Sequence, residues 1–220
     1  MKTLLLDLDG TLTDPQPGIV GSLRHALTQL GYASPPDAEL AGCIGPPLAE
    51  TFARLLGVSA DDPRITRGIE HYRERFEGIG WRENAVLPGI LEFLDAAGAR
   101  GYRRVVATSK PTVFARRIAD HFDFATRLEG IYGAELDGRR SAKREVIAHA
   151  LAAEGLLAEH AVMVGDRRHD VEGAAHHGIP TVGVTFGFGT RRELEAAGAA
   201  WICDAPHEIL SCLAATPKVR

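Results

Sequence analysis

Two pairs of aspartates are the residues of this chain best suited to carry chemistry. Asp7 and Asp9 follow a short apolar run near the amino terminus, and Asp166 and Asp170 follow another apolar run far along the chain. On an extended chain, residues two apart project to the same side, so Asp7 and Asp9 share a side. Gly10 allows the chain to turn just beyond them. The spacing therefore predicts that each pair stands at the end of a strand.

Four carboxylates gathered in one place repel each other, and some of them stay protonated unless a cation is bound. With oxygen ligands only, the preferred ion is a hard divalent cation, and Mg2+ is commonly held by one or two carboxylates together with a substrate phosphate. The four acids therefore predict a Mg2+ site that also binds phosphate.

Phosphate chemistry would give these residues distinct roles. A carboxylate that attacks phosphorus forms an aspartyl-phosphate, and the charge that develops on the phosphoryl oxygens calls for a lysine and hydrogen-bond donors. Lys143 and Thr108 meet that demand. Asp9 can protonate a leaving alkoxide and then take a proton from water, provided that its surroundings raise its pKa toward neutrality. The chain prefers Arg to Lys, so the lysines at 110 and 143 indicate a need for a compact charge.

The elements that position these residues alternate between strand and helix. The apolar patterns predict strands at 2–8, 103–107, 128–132, 161–164, 181–185 and 200–203, and helices at 19–30, 90–97, 113–121, 143–151, 171–177, 191–197 and 207–214. Such alternation predicts an α/β fold with a Rossmann-like open parallel sheet covered by helices on both faces. Ligands bind beyond the carboxyl ends of the strands in such sheets, which is where the four acids fall, together with Thr108, Ser109 and Lys110.

One region interrupts the alternation. From Pro35 to Trp81 the apolar residues follow helical spacing and no strand is predicted. We therefore predict two domains, an α/β core of residues 1–14 and 88–220 and an inserted all-helical cap of residues 15–87. Within the core, residues 216–220 are predicted to be a loose tail.

Composition excludes several classes of function. The 220 residues are 45% hydrophobic and 25% charged, as in a globular protein, and the net charge of -4 argues against a nucleic-acid partner. Three widely spaced cysteines form neither a disulfide framework nor a metal motif, which favours the cytoplasm. No apolar run is long enough to suggest a signal peptide or a membrane span.

Four segments, in order, resemble the four signatures of the haloacid dehalogenase superfamily of phosphohydrolases. They are 7–14 (DLDGTLTD), 105–109 (VVATS), Lys143 and 164–170 (VGDRRHD). The resemblance covers essentially the whole chain.

The resemblance implies a role for each of these residues. Asp7 would be the nucleophile and a Mg2+ ligand, and Asp9 would be the acid/base and would bind Mg2+ through its backbone carbonyl. Thr108, Ser109 and Lys143 would bind the phosphoryl group. Asp166 would complete the metal site, and Asp170 would support that site without binding the metal directly. Dehalogenase members lack the second acid of the first signature, so Asp9 argues against dehalogenation.

The predicted insertion is similar to the cap of the phosphoglycolate phosphatase-like group. Segments 44–48, 107–111 and 132–138 look more like a bacterial branch labelled 5'-nucleotidase. The resemblance implies a small phosphate ester as substrate, either a 5'-nucleotide or a phosphoglycolate-like compound, and a monomer or homodimer. The substrate contacts that we predict are Gly45, Pro46, Arg54 and Lys110.

Two other functions stay open at this point. A phosphosugar mutase would use the same fold and the same aspartyl-phosphate, and dependence on a sugar bisphosphate would reveal it. A phospho-accepting regulatory domain also gathers acids, a Thr and a Lys at a sheet edge. Such a domain is shorter, lacks a cap and keeps its acylphosphate, so rapid release of phosphate would exclude it.

Overall fold

Six parallel strands form one sheet in the order β5-β4-β1-β6-β7-β8, in a computed structural model that describes residues 2–214. The strands are β1 (Thr3–Leu6), β4 (Arg103–Pro111), β5 (Gly130–Ala134), β6 (Ala161–Gly165), β7 (Thr181–Val184) and β8 (Trp201–Cys203). A separate two-stranded sheet consists of β2 (Thr13–Asp14) and β3 (Ala85–Val86). The predicted α/β fold with an open parallel sheet is confirmed.

Helices fill most of the chain between these strands. The α-helices within residues 2–214 are α1 (Gln16–Gln29), α2 (Asp37–Ala41), α3 (Leu48–Leu56), α4 (Pro63–Gly78), α5 (Ile90–Ala99), α6 (Thr112–His121), α7 (Lys143–Glu154), α8 (Arg168–Ala175), α9 (Arg191–Ala197) and α10 (Ile209–Cys212). Short 3-10 turns lie at Gly80–Arg82, Ala125–Arg127, Ala158–His160 and Pro206–Glu208.

The position of β1 explains why its residues are all apolar apart from Thr3. It pairs with β4 on one side and β6 on the other, so both of its faces are covered and all four residues are buried. In this register Leu6 lies opposite Val106 and Val164. The residues that follow these three therefore emerge together at the carboxyl edge of the sheet.

One face of the sheet is packed under α7 and α8. The buried residues that form this cluster include Leu5, Val105, Ala107, Val146, Ile147, Met163 and Ala174. Burial of apolar surface of this kind contributes roughly 25 cal/mol per Å² to stability. The packing holds the amino-terminal ends of both helices close to the sheet edge.

Several predicted boundaries differ from the observed ones. The strand predicted at 128–132 is observed at Gly130–Ala134, and a 3-10 turn that ends at Arg127 precedes it. The strand predicted at 103–107 continues to Pro111. The helix predicted at 207–214 consists of a 3-10 turn and the short α10. The predicted loose tail, residues 216–220, lies outside the described residues.

The chain divides into two compact units, one of residues up to Asp14 and from Val86 onward, and one of Pro15–Ala85. The second unit contains α1 to α4, and its buried side chains include Phe52 and Phe76. Gly68 on α4 has no side chain to obstruct the ring of Phe52, which a Cβ at that position would meet at 2.8 Å.

Within residues 2–214, none of the helices has the length and apolar character of a membrane span.

Candidate active site

The turn that follows β1 holds the first pair of aspartates at the carboxyl edge of the sheet. The backbone N–H of Asp7 donates to the Val164 carbonyl at 3.0 Å, which continues the hydrogen bonding to β6 by one residue. Gly10 has a φ of 84°, a conformation that glycine adopts without steric cost. The N–H groups of the next three residues all donate to the carbonyl of Leu8. This tight turn fixes where the carboxylates of Asp7 and Asp9 emerge.

Lys143, the first residue of α7, lies between two of the acids. Its Nζ is 2.6 Å from Oδ1 of Asp7 and 2.7 Å from Oδ1 of Asp170, and it donates to the Ala107 carbonyl at 3.0 Å. Burial lowers the pKa of the Lys143 amine, but the Asp170 and Asp7 carboxylates raise it by more. Lys143 is therefore a fixed positive charge at the sheet edge.

Asp166 is fully buried directly after β6. Its Oδ2 accepts a hydrogen bond from the backbone N–H of Phe188 at 2.8 Å, and its Oδ1 accepts one from the Thr11 hydroxyl at 3.3 Å. Burial raises the pKa of Asp166 well above its ordinary value, and the charges of Asp170 and Asp7 raise it further. A carboxyl group in this position either keeps its proton or needs a nearby cation.

Three carboxylates meet closely enough to share a cation. Asp7, Asp166 and Asp170 each place one oxygen within 4.8 Å of the others. Burial raises the pKa of Asp170 to about 6, with Lys143 opposing that shift and Asp7 adding to it. Buried oxygen ligands that repel one another fit a hard divalent cation such as Mg2+, and the group includes the predicted metal ligands Asp7 and Asp166.

The side chain of Asp9 has a different partner. Nζ of Lys110 lies 2.7 Å from Oδ1 and 2.6 Å from Oδ2 of Asp9. Burial raises the pKa of Asp9, while Lys110 opposes that shift. The sequence predicts Lys110 as a substrate contact, whereas in the structure its ammonium group contacts the carboxylate of Asp9.

Thr108 and Ser109 lie near the end of β4, at the same edge of the sheet. Thr108 is buried and its Oγ1 accepts a hydrogen bond from the Lys110 backbone N–H at 3.2 Å, which leaves the hydroxyl proton available for a ligand. Ser109 is half-buried. The structure thus brings together the predicted catalytic, phosphate-binding and metal-binding residues of the core, and their roles stay predictions.

The loop after β7 adds a group that patterns of side chains cannot reveal, the backbone N–H of Phe188. The alternating glycines of this loop are the available signal, because they mark where backbones approach closely. A Cβ at Gly187 would lie 2.2 Å from the Gly10 carbonyl and 2.5 Å from Oδ2 of Asp166.

We expect Gly187→Ala to disturb the site through this close approach. The added methyl group has to displace the Gly10 turn or Asp166, at a cost of about 1–3 kcal/mol of stability. The melting temperature should fall by several degrees and turnover by about tenfold. Gly78→Ala is the matched control, since a Cβ there meets nothing within 4 Å. Equal melting temperatures and rates for both variants would contradict this packing.

The predicted substrate contacts Gly45, Pro46 and Arg54 lie in the helical unit. Gly45 has a φ of 109°. Nη2 of Arg54 lies 2.8 Å from Sγ of Cys43 and 3.5 Å from the Gly42 carbonyl. A role for these residues in substrate binding stays a prediction.

Comparison with known proteins gives consistent similarities. Residues 4–184 match the family model described as haloacid dehalogenase-like hydrolase. The chain is 49% identical over 200 residues to a 5'-nucleotidase of Pseudomonas aeruginosa, and the alignment covers 91% of this chain and 90% of that protein. It is 47% identical over 190 residues to the tyrosine-protein kinase PtkA of Mycobacterium tuberculosis, and this alignment covers 86% of this chain and 63% of PtkA. A crystal structure of a predicted phosphatase from Clostridium acetobutylicum superposes with a TM-score of 0.92 at 36% identity, covering 97% of this chain and 99% of that one.

Proposed function

The chain belongs to the haloacid dehalogenase-like hydrolases, and on that premise we propose that it is a Mg2+-dependent phosphomonoesterase acting on a small phosphorylated metabolite. The observation that carries the proposal is the group of three buried carboxylates beside the ammonium group of Lys143. This arrangement offers a nucleophile, a cation site and a positive charge for phosphoryl oxygens. Similarity to a 5'-nucleotidase and to a predicted phosphatase supports the same reaction class.

In the first half-reaction, a carboxylate oxygen of Asp7 attacks the phosphorus atom of the ester. The bond between phosphorus and the leaving oxygen breaks as the new bond forms, and the protonated carboxyl group of Asp9 gives its proton to that oxygen. Lys143 and the Thr108 hydroxyl bind the phosphoryl oxygens on which charge develops. When bound, Mg2+ neutralises part of that charge.

In the second half-reaction, the Asp9 carboxylate takes a proton from a water molecule that attacks the phosphorus atom. The bond between phosphorus and Asp7 breaks, which releases inorganic phosphate and regenerates the free carboxylate of Asp7. Asp9 thus returns to its protonated form, and the burial that raises its pKa supports this alternation between two forms.

We assign the choice of substrate to the helical insertion, residues 15–87, acting as the cap of an α/β core. The resemblance of this insertion to the caps of phosphoglycolate phosphatase-like enzymes supports the assignment, and Gly45, Pro46 and Arg54 are the residues that we expect to contact the substrate. The substrate class that we propose is a 5'-nucleotide or a phosphoglycolate-like ester.

The cysteines support a reducing compartment, which we take to be the cytoplasm. Cys43, Cys203 and Cys212 are all free thiols in the structure. Persistent disulfides are a feature of oxidising compartments.

A panel of phosphomonoesters tests the proposed function. Inorganic phosphate released from 5'-nucleotides, phosphoglycolate and sugar phosphates is measured with Mg2+, and the Asp7→Asn protein serves as the blank. We expect steady turnover of at least one ester. Activity that requires a catalytic amount of a sugar bisphosphate would indicate a mutase instead.

Phosphoryl transfer to protein tyrosine is a second candidate, favoured by the 47% identity to a tyrosine-protein kinase. The same panel distinguishes it when ATP and a tyrosine-containing protein are included. Phosphotyrosine formed from ATP, without turnover of any small ester, would replace the proposed function with this one.

A further inference from the structure

Two lysines contact three of the four aspartates of the site, and each lysine has different partners. Lys143 lies between Asp7 and Asp170, within 2.6 and 2.7 Å of their oxygens. Lys110 contacts both oxygens of Asp9 instead. Among the described residues, the three carboxylates that could share a cation do not include Asp9.

The contact between Lys110 and Asp9 is buried, which makes it a constraint on geometry. The exposed fraction is 5% for the Lys110 side chain and 15% for that of Asp9. Placing both carboxylate oxygens against one ammonium group restricts the torsion angles of Asp9. Charged groups retained in a buried site are paired, and removing one partner leaves the other uncompensated.

Without this partner, Asp9 would have a competing position. It lies two residues from Asp7, and a cation bound beside the carboxylates of Asp7 and Asp166 would attract its free carboxylate. A carboxylate bound to the cation is poorly placed to give a proton to a leaving group. Lys110 therefore offers what proton transfer needs, a carboxyl group kept apart from the metal ligands.

We propose that Lys110 is a positioning residue that holds the side-chain carboxyl group of Asp9 oriented for proton transfer. The inference rests on the proposed function and replaces the predicted role of Lys110 as a substrate contact. Lys110 acts through Asp9 and need not touch the substrate.

Two esters of similar size test the proposal, phenyl phosphate and para-nitrophenyl phosphate. The nitro group stabilises the departing phenolate, so its ester depends less on a proton from Asp9. In Lys110→Met, we expect kcat/KM to fall about 30-fold or more for phenyl phosphate and less than about fivefold for para-nitrophenyl phosphate. KM for both esters should change less than about threefold. Lys110→Arg, which retains a charged donor pair, should recover part of the loss with phenyl phosphate.

Comparing the kcat/KM values of the two esters separates an effect on Asp9 from an effect on folding. The ratio of the two kcat/KM values does not depend on the fraction of folded protein, so it reports on Asp9 even where Lys110→Met lowers stability. Lys2→Met is the matched control, because Lys2 is exposed, and its ratio should equal that of the wild type. In an Asp9→Asn background, Lys110→Met should leave the ratio unchanged, since a residue that acts only through Asp9 has no further effect there.

The outcomes separate this inference from the proposed function. A wild-type protein that hydrolyses neither these esters nor any of the panel would overturn the proposed function. An active wild type with equal losses on both esters in Lys110→Met, or with a raised KM and an unchanged kcat, would overturn the inference alone. An equal effect of Lys110→Met in the wild-type and Asp9→Asn backgrounds would also overturn it.

Discussion

Replacement of Asp7 by asparagine is expected to lower kcat by at least about 10³-fold, because an amide oxygen is a poor nucleophile toward phosphorus. The substitution changes little else in shape. Lys143 keeps its contact with Asp170 at 2.7 Å, so the remaining ion pair should hold the lysine in place. The measurement is phosphate release under saturating substrate, together with acid trapping of the phosphoenzyme.

The stability of this variant provides an independent check. The charge of Asp7 raises the pKa values of both Asp166 and Asp170, so removing it relieves repulsion within the buried group. We expect the melting temperature without Mg2+ to be equal to or above that of the wild type. Asp120→Asn, a change of the same kind at an exposed position of α6, should retain full activity. Retention of more than about a tenth of the wild-type rate by Asp7→Asn would exclude Asp7 as the nucleophile.

Removal of divalent cations is expected to have the second large effect. EDTA should lower turnover by at least about 100-fold, because the charge that develops on the phosphoryl oxygens would lose its main counter-charge. An excess of Mg2+ should restore the rate. Mg2+ should also raise the melting temperature, since it binds the native carboxylate group and not the unfolded chain.

The size of this thermal shift should depend on pH, with a sign set by the raised pKa values. Burial raises the pKa of Asp166 well above its ordinary value and that of Asp170 to about 6. Between about pH 4 and these raised values, the native state binds more protons than the unfolded state. The free energy of unfolding without Mg2+ therefore falls as the pH rises through this range. Because the pKa values of both carboxyl groups are raised, protons compete with Mg2+ more strongly at pH 5.5 than at pH 8. We therefore expect a larger Mg2+-induced shift at pH 8.

A substitution within the acidic group tests whether the cation binds there. Asp166→Asn removes one of the three carboxylates and should abolish most of the Mg2+-induced thermal shift at pH 8. The exposed Asp120→Asn should keep the whole shift. A shift of equal size at pH 5.5 and pH 8, or one that survives in Asp166→Asn, would place the cation elsewhere.

Local sequence was sufficient to predict the limits of an element where capping residues lie at both ends of its apolar pattern. The helix at 191–197 has the same limits in the prediction and in the structure, because Thr190 caps its first turn and Gly198 ends it with a left-handed residue. The strand predicted at 128–132 begins two residues later, and the N–H of Leu128 donates to the Ala125 carbonyl of the preceding 3-10 turn instead of to a neighbouring strand. Periodicity identifies an element more reliably than its ends.

The sequence by itself was sufficient to predict the reaction class and to place the four acids at one edge of the sheet. Acids that directly follow apolar strands of a parallel sheet must emerge at its carboxyl edge, whatever the details of packing. Only the tertiary structure decided how those acids are grouped. The side chain of Asp9 pairs with Lys110, the carboxylates of Asp7, Asp166 and Asp170 lie together, and the Phe188 backbone N–H donates to Asp166. These contacts depend on strand register and on how the helices pack on the sheet, and a shift of one residue in either would move a side chain by several ångströms, which residue types alone do not encode.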